Sequence, residues 1–362
     1  SIMLSVGAKI GILGGGQLGR MLCVAASRLG FKCHVYEPSR NPPAGDTSAI
    51  LTTASYTDFA ALERFARSVD VVTFEFENVP VEALDFIERI VKISPSRRAL
   101  EISQDRLNEK EFMHSLFLKT APYLKVDNIG ELTNALQKIK FPAILKTRKF
   151  GYDGKGQIKL ESEENVAETI KNFSGSDYIL EGVVNFTKEI SVIAARNFNG
   201  QIACFDPGEN IHINGILDTT TVPCKLPRPI ITDAILLTSR ILEALDYVGV
   251  LGVELFVLDN KLIVNEIAPR VHNSGHWTQD GCVIDQFEQH IRAISGWSLG
   301  DGSRFLNVTM KNLIGNDILG VSKLIEEPSK SIHLYGKEEI RPNRKMGHVN
   351  LVSEKTKITP TS

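Results

Sequence analysis

The chain has 362 residues, 43% of them apolar and 23% charged, with a formal net charge of −2. That content can bury a large core in two or three domains, and the charge balance excludes a polybasic nucleic-acid binder or an acidic disordered tail. No apolar run reaches the roughly eighteen residues of a membrane span and no signal-peptide pattern opens the chain, while the five cysteines are scattered without a C-x-x-C pair, so a reduced, cytoplasmic protein without a zinc or disulfide framework is expected.

In chain order, Lys9 to Leu13 reads as an apolar strand feeding Gly14-Gly15-Gly16-Gln17-Leu18-Gly19, which opens a helix predicted over Arg20 to Leu29. A second strand, Lys32 to Glu37, ends in an acid. This is the dinucleotide fingerprint in βαβ context: glycines for close backbone approach, a helix N-terminus for a phosphate, an acid for a ribose. By itself it supports a nicotinamide-dependent oxidoreductase, but the same unit serves any phosphate-bearing ligand. A helix over Asp58 to Ser68, a buried strand over Val69 to Phe76, a helix over Glu82 to Arg89 and a short strand over Lys92 to Pro95 complete an α/β unit. Glu75 and Glu77 fall at the carboxyl edge of its sheet, where ligands of such folds bind.

Ser103 begins a helix into a second region, followed by a helix over Gly130 to Ile139 and a strand from Phe141 that ends in Lys146. The loop from Thr147 to Gln157 is rich in glycine and basic residues, and a strand over Ile158 to Leu160 follows it. Such a loop closes over a polyphosphate, its N–H groups and lysines neutralising oxygen charge; the bland alternative is a solvated hairpin tip. Tyr178 to Val184 is a strand losing regularity at Gly182, suited with Glu189 to an adenine edge and a ribose. Residues 189–204 alternate around Asn199-Gly200 as a hairpin, Glu209 to His212 lies on a strand or its exit, and Thr232 to Leu245 is an amphipathic helix.

Val253 to Leu258 and Leu262 to Ile267 are apolar runs flanking Asp259-Asn260-Lys261, a hairpin signal interrupted by Glu254 and Glu266. A three-residue loop puts Leu258 opposite Leu262 and Glu254 opposite Glu266; a two-residue loop sends the two acids to opposite faces. Facing carboxylates call for a cation, and Mg²⁺ with substrate phosphates is the usual occupant in phosphoryl transfer. The alternative is an edge hairpin whose acids face water. The donor-dense loop Ala268 to His276 that follows favours the functional reading. A helix over Asp285 to Ile294 and strands over Met310 to Ile314 and Ser331 to Tyr335 lead to a basic turn, Gly336 to His348, the remaining candidate for a monoester phosphate.

GILGGGQLGRM at the start, QDR at 104–106, YDGKGQ at 152–157, NEIAPRVHNSGHWTQ at 265–279 and RPNRKMGHVN at 341–350 together resemble the ATP-grasp superfamily, and within it the N5-carboxyaminoimidazole ribonucleotide synthetase family. The resemblance implies an α/β, ATP-grasp architecture. Its parts are an N-terminal Rossmann-like (pre-ATP-grasp) domain at 1–100, a small central lid domain at 101–183 and an α+β C-terminal domain at 184–362. It also implies ATP-dependent carboxylation of aminoimidazole ribonucleotide with bicarbonate, with Mg²⁺ as cofactor, no nucleic-acid or membrane partner, and a homodimer.

Carried over by position, Arg106, Lys146 and the loop Gly151, Tyr152, Asp153, Gly154, Lys155, Gly156 and Gln157 face ATP phosphates. Glu181, Gly182, Val183 and Val184 face the adenine, and Glu189 the ribose, with His212, Asn265 and Glu266 lining the same pocket. Glu254 and Glu266 hold the metal. Ala268 stands where many relatives offer an Asn ligand. The ribonucleotide falls to Gln17, Leu18, Glu75, Tyr152, Asp153, Arg270, His272, Asn273, Ser274, Lys337, Arg344 and Lys345. Lys146, Asp153, Arg270, His272 and Asn273 are the expected catalytic set, His272 as the proton-handling group. Another ATP-grasp ligase activating a different acid, a nicotinamide-dependent oxidoreductase and a regulatory nucleotide-binding module remain alternatives.

Overall fold

The computed structural model describes residues 3–153, 155–173 and 176–355. Among them, three sheets organise the chain. The first is parallel, in the order Ile50–Thr53, Lys32–Glu37, Lys9–Leu13, Val71–Phe74. Its central strands are buried on both faces, which is why they read as continuous apolar runs. The helix Gln17–Arg28 packs Met21 and Leu22 on one face, and Phe59–Arg67 packs Leu62 and Phe65 on the other. The strand expected over 92–95 is a single bridge, Val72 to Ile93.

The helix expected from Ser103 is two helices, Arg97–Gln104 and Arg106–Ser115. Asp105 between them is extended, at φ −128, and its carboxylate caps the Leu107 N–H. The same carboxylate takes Arg148 Nε and Nη2 at 3.0 and 2.7 Å, so the break in the helix anchors the base of the glycine-rich loop.

The second sheet is antiparallel, in the order Tyr123–Val126, Tyr178–Gly182, Ala143–Thr147, Gln157–Leu160, and has its own small core of Val126, Leu132, Leu145 and Leu180. The third runs Lys261–Ala268, Gly249–Leu258, Lys188–Arg196, Gly208–Ile213, Ile216–Val222, Leu306–Ile314, Lys345–Glu354, Lys330–Leu334, and Ile202–Cys204 pairs with its third strand. Strand Lys345–Glu354 stands where the sequence predicts only a basic turn. Its alternation is hidden because two buried positions are polar: His348 bonds Tyr335 and Gln279, and Asn350 bonds Asp280 and the His276 carbonyl.

One apolar cluster joins Met21, Leu22 and Ala25 to Phe287, Ile291 and Ile294. The Thr73 hydroxyl meets His290 Nε2 at 2.9 Å, and His290 Nδ1 accepts the Val250 N–H at 3.0 Å. The first sheet is thereby fixed against the third, and the carboxyl edge of one faces the hairpin of the other. Helix Gln286–Ile294, which carries His290, is capped by the Asp285 carboxylate accepting from the Glu288 N–H.

Candidate active site

The hairpin Gly249–Leu258/Lys261–Ala268 turns through Asp259 and Asn260 alone, both left-handed at φ 50 and 58. A two-residue turn of this kind matches the strand twist. Leu258 therefore pairs with Lys261, and the expected three-residue loop is corrected. A two-residue loop would separate the acids, but the register shifts beyond Glu254, leaving Asn265 as the extra residue of a bulge. That shift restores the pairing of Glu254 with Glu266.

Burial and the neighbouring Glu266 charge push the Glu254 carboxyl well above its ordinary range. Burial acts on Glu266 in the same direction, but the hydrogen bond from Glu254 and the charges of Arg106 and Lys146 bring it down to about 2. The Glu254 side chain is 14% exposed and that of Glu266 41%, so burial bears harder on Glu254. Two facing carboxylates are hard oxygen donors and fit a hard divalent cation, which would offset their mutual repulsion. Arg106 Nη1 stands 3.5 Å from Glu266 Oε2.

A cleft of about 540 Å³ opens between the three sheets. On its lid side, Lys146 Nζ lies 2.5 Å from Glu181 Oε2, and Lys110 Nζ lies 2.7 Å from Glu181 Oε1. All three side chains are buried. The Glu181 carboxylate thus faces inward between two lysines and orients Lys146, while Gly182, Val183 and Val184 lie off the cleft wall. Burial, more than it is offset by Glu181, pulls the Lys146 amine below its ordinary range. Across from it, on strands of the third sheet, His212 Nδ1 meets Glu189 Oε2 at 3.0 Å, and Asn265 lines the same cleft. Phe256, stacked on Phe186 at 4.8 Å, adds an apolar surface there.

From the loop, Gly151, Tyr152, Asp153 and Gln157 reach the cleft. Lys155 and Gly156 stand back from it, with Lys155 Nζ donating to the Tyr152 hydroxyl at 3.2 Å. Gly154 lies outside the described residues. Asp153 Oδ1 is 3.6 Å from Lys345 Nζ, which links the loop to the C-terminal turn.

On the opposite wall, Arg270 Nε donates to Glu77 Oε1 at 2.7 Å and its Nη1 to the Val271 carbonyl. His272 Nε2 is 3.9 Å from Glu254 Oε1. Burial, followed by the Arg270 charge, pushes the His272 imidazole down to about 3, so it is neutral. Asn273 lines the cleft, yet its amide is paired reciprocally with Asn312, at 3.0 and 2.6 Å. The Ser274 hydroxyl is buried against Ser191 and His272, so it supports the histidine and does not face the cleft.

The N-terminal sheet contributes Gln17, Leu18 and Glu75. Here the fingerprint is self-occupied. Gly16 N–H donates to Glu75 Oε1 at 2.7 Å, Gly15 N–H donates to Glu37 Oε1 at 3.0 Å, and a Cβ on Gly14 would meet Glu75 Cγ at 2.7 Å. The donors that cradle a pyrophosphate in a dinucleotide site are taken by the chain's own acids.

In the basic turn, only Lys345 lines the cleft. Lys337 Nζ donates to the Lys345 carbonyl at 2.7 Å and Arg344 to the Glu339 carbonyl at 2.6 Å. Burial, then the Arg344 and Lys345 charges, push the Lys337 amine down to about 8, which places the three cations together. Lys110, Glu77, Asp105 and Asn312 all support site residues; Glu77 stands out in the sequence at the sheet edge and Asp105 within QDR, but none of the pairings does, because each partner lies across a long stretch of chain.

Family comparisons agree with this arrangement. Residues 7–104 match a ribonucleotide synthetase preATP-grasp domain, 111–287 an ATP-grasp domain and 308–359 a phosphoribosylaminoimidazole carboxylase C-terminal domain. The chain is 47% identical to N5-carboxyaminoimidazole ribonucleotide synthase of Brucella melitensis, over 98% of both proteins. It superposes on the Staphylococcus aureus N5-carboxyaminoimidazole synthetase complexed with ADP with a TM-score of 0.93, at 36% identity over 98% of this chain and 95% of the other. It also superposes on the Aspergillus clavatus synthase in complex with ADP and 5-aminoimidazole ribonucleotide, with a TM-score of 0.90, at 30% identity over 96% and 94% of the two chains. On these matches and the paired acids beneath a lysine-bearing lid sheet, the chain belongs to the N5-carboxyaminoimidazole ribonucleotide synthase family of ATP-grasp ligases.

Proposed function

We infer that the chain carboxylates the exocyclic amine of 5-aminoimidazole ribonucleotide with bicarbonate, coupled to cleavage of ATP to ADP and phosphate, in purine synthesis. The observation that carries this is the facing of Glu254 and Glu266 across the bulged hairpin, between Lys146 on one side and Arg270 and His272 on the other. Glu254 and Glu266 would hold Mg²⁺, which when bound neutralises phosphate charge.

A bicarbonate oxygen attacks the γ-phosphorus, the bond to the ADP oxygen breaks, and carboxyphosphate forms. Its carbon–oxygen bond then breaks to give CO₂ and phosphate. The amine nitrogen bonds to the CO₂ carbon and gives a proton to the phosphate just released, leaving the carbamate. Lys146, held by Glu181, and Arg106 neutralise transferring phosphate oxygens, which is most of what phosphoryl transfer asks of a protein. Arg270, held by Glu77, positions the carboxylated anion. Gly151 to Asp153 and Gln157 cover the cleft and keep water from the intermediate. Lys345, Lys337 and Arg344 receive the ribonucleotide phosphate, while Gln17 and Glu75 meet the uncharged part of the ribonucleotide.

No helix among the described residues is long and apolar enough to cross a membrane. A cytoplasmic homodimer belongs to the same proposal. It is supported by the family and by five unpaired cysteines, and light scattering of the purified chain checks the dimer.

The test is an assay of ADP release and of labelled bicarbonate incorporation. Both are expected to require aminoimidazole ribonucleotide, ATP and Mg²⁺ together, with formate unable to replace bicarbonate. Mg·ADP is expected to raise the melting temperature, and NAD(H) to leave it unchanged. Stabilisation by NAD(H) alone would return the glycine loop to a dinucleotide role.

A further inference from the structure

His272 is the end of a buried chain of polar side chains that no step above uses. Its Nδ1 lies 2.7 Å from the Ser274 hydroxyl and 3.2 Å from the Ser274 backbone N–H. Ser274 Oγ is 2.7 Å from Ser191 Oγ, which is 3.0 Å from Asn210 Nδ2. Asn210 Oδ1 is 2.7 Å from the Thr220 hydroxyl. Ser274, Ser191, Asn210 and Thr220 are each at most 4% exposed. They come from three neighbouring strands and the loop above them. Asn210 is the cross-strand partner of Thr220, and Gly208 opposes Ser191 without a side chain to fill the space.

The direction of this chain is fixed by one group that cannot reverse. A backbone N–H only donates, so Nδ1 of His272 accepts from Ser274 and carries no proton. The Ser274 hydroxyl beside the same nitrogen must then donate to it. With its hydrogen so placed, Ser274 Oγ accepts from Ser191. Ser191 in turn accepts, which requires the NH₂ of Asn210 and not its oxygen. Asn210 Oδ1 is left to accept from Thr220. Any reversal sets two donors or two acceptors against each other in a site closed to water, which is costly.

We propose that Thr220, Asn210, Ser191 and Ser274 form a one-directional positioning relay whose output is a neutral His272 presenting Nε2–H to the cleft beside Glu254. The histidine is then a fixed donor to an anionic oxygen of the reacting carboxylate. This gives the proton-handling role expected of His272 a specific form, that of a donor. The relay residues touch no substrate and act only through the imidazole.

The relay rests on the carboxylation proposed above for its use but not for its existence, and the two are tested apart. In ¹⁵N-histidine-labelled protein, the ring signals of His272, assigned by their loss in His272→Gln, are expected to show a bare Nδ1 and a protonated Nε2 at neutral pH. A protonated Nδ1, or an imidazolium, overturns the proposal. Thr220→Val keeps the side-chain shape and removes the first donor. It is expected to lower kcat about tenfold, the worth of roughly one hydrogen bond, with the KM for ATP unchanged and with a changed His272 ring spectrum. Thr220→Ser restores both. Wild-type kcat in Thr220→Val overturns the relay; should that variant not fold, the wild-type ring spectrum decides alone. A correct ring spectrum in a protein that fails to carboxylate the ribonucleotide removes the function and leaves the relay.

Discussion

Glu77, on the loop leaving the parallel sheet, accepts Arg270 Nε at 2.7 Å, so the N-terminal unit aims a cation of the C-terminal one. The sequence separation is 193 residues. Without Glu77, Arg270 would be partly buried beside Glu75 and Glu266 and free to swing toward either. Glu77→Gln is expected to lower kcat/KM for the ribonucleotide about ten- to hundredfold, the range of a charge-assisted hydrogen bond. ADP affinity should be little changed. Steady-state kinetics with each substrate varied separate the two, and an equal loss for both would contradict the assignment.

Glu266→Gln should lower bicarbonate-stimulated ATP hydrolysis about hundredfold or more, since the variant loses the ionised member of the acid pair and with it metal affinity. Chelation of divalent ions should do the same to the unaltered protein, and added Mg²⁺ should reverse it. A near-normal rate in Glu266→Gln would remove the metal assignment.

Lys110 is the hidden support of Lys146. Removing one member of a buried ion cluster leaves a charge uncompensated, so Lys110→Met is expected to cost about 3 kcal/mol of stability. The KM for ATP should rise as well, because Glu181 then has Lys146 as its remaining partner. Chemical denaturation and ATP titration measure the two effects.

Lys337 gives the pH dependence its sign. Its amine titrates near 8 in the fold, below the ordinary lysine range. A phosphate dianion needs the protonated form, so ribonucleotide affinity is expected to hold below that pH and to fall as pH rises through it. Stability moves the other way. The unfolded chain binds the proton more tightly, so unfolding becomes harder as pH rises from about 8 toward the free-lysine value. Calorimetric titration across this window should show the decline, and Lys337→Met should flatten it at lower affinity.

Much of the architecture was legible because each element carried its period. Lys9–Leu13 and Lys32–Glu37 begin and end where the apolar runs do. The acid pair was legible too, but by a compensated error: the turn is shorter than expected, and Asn265 makes up the difference. Nothing local in NEIAP announces a bulge. Strand Lys345–Glu354 was obscured because His348 and Asn350 are polar yet buried, their hydrogen-bond partners being set by tertiary structure. Ser191, Asn210 and Thr220 were illegible for the same reason. Each is one polar residue in a strand, and its meaning lies in a neighbour on another strand.

The hairpin's short turn and its single extra residue have a consequence for how this protein tolerates insertions and deletions. Removing Asn265 would close the ladder into an unbroken register in which Glu254 still faces Glu266, because the extra residue and the shift it causes leave together. What the bulge adds is local twist beneath the acids, and with it the aim of both carboxylates into the cleft. A protein without Asn265 should therefore keep its fold and its facing acids, and the lost twist would register in catalysis.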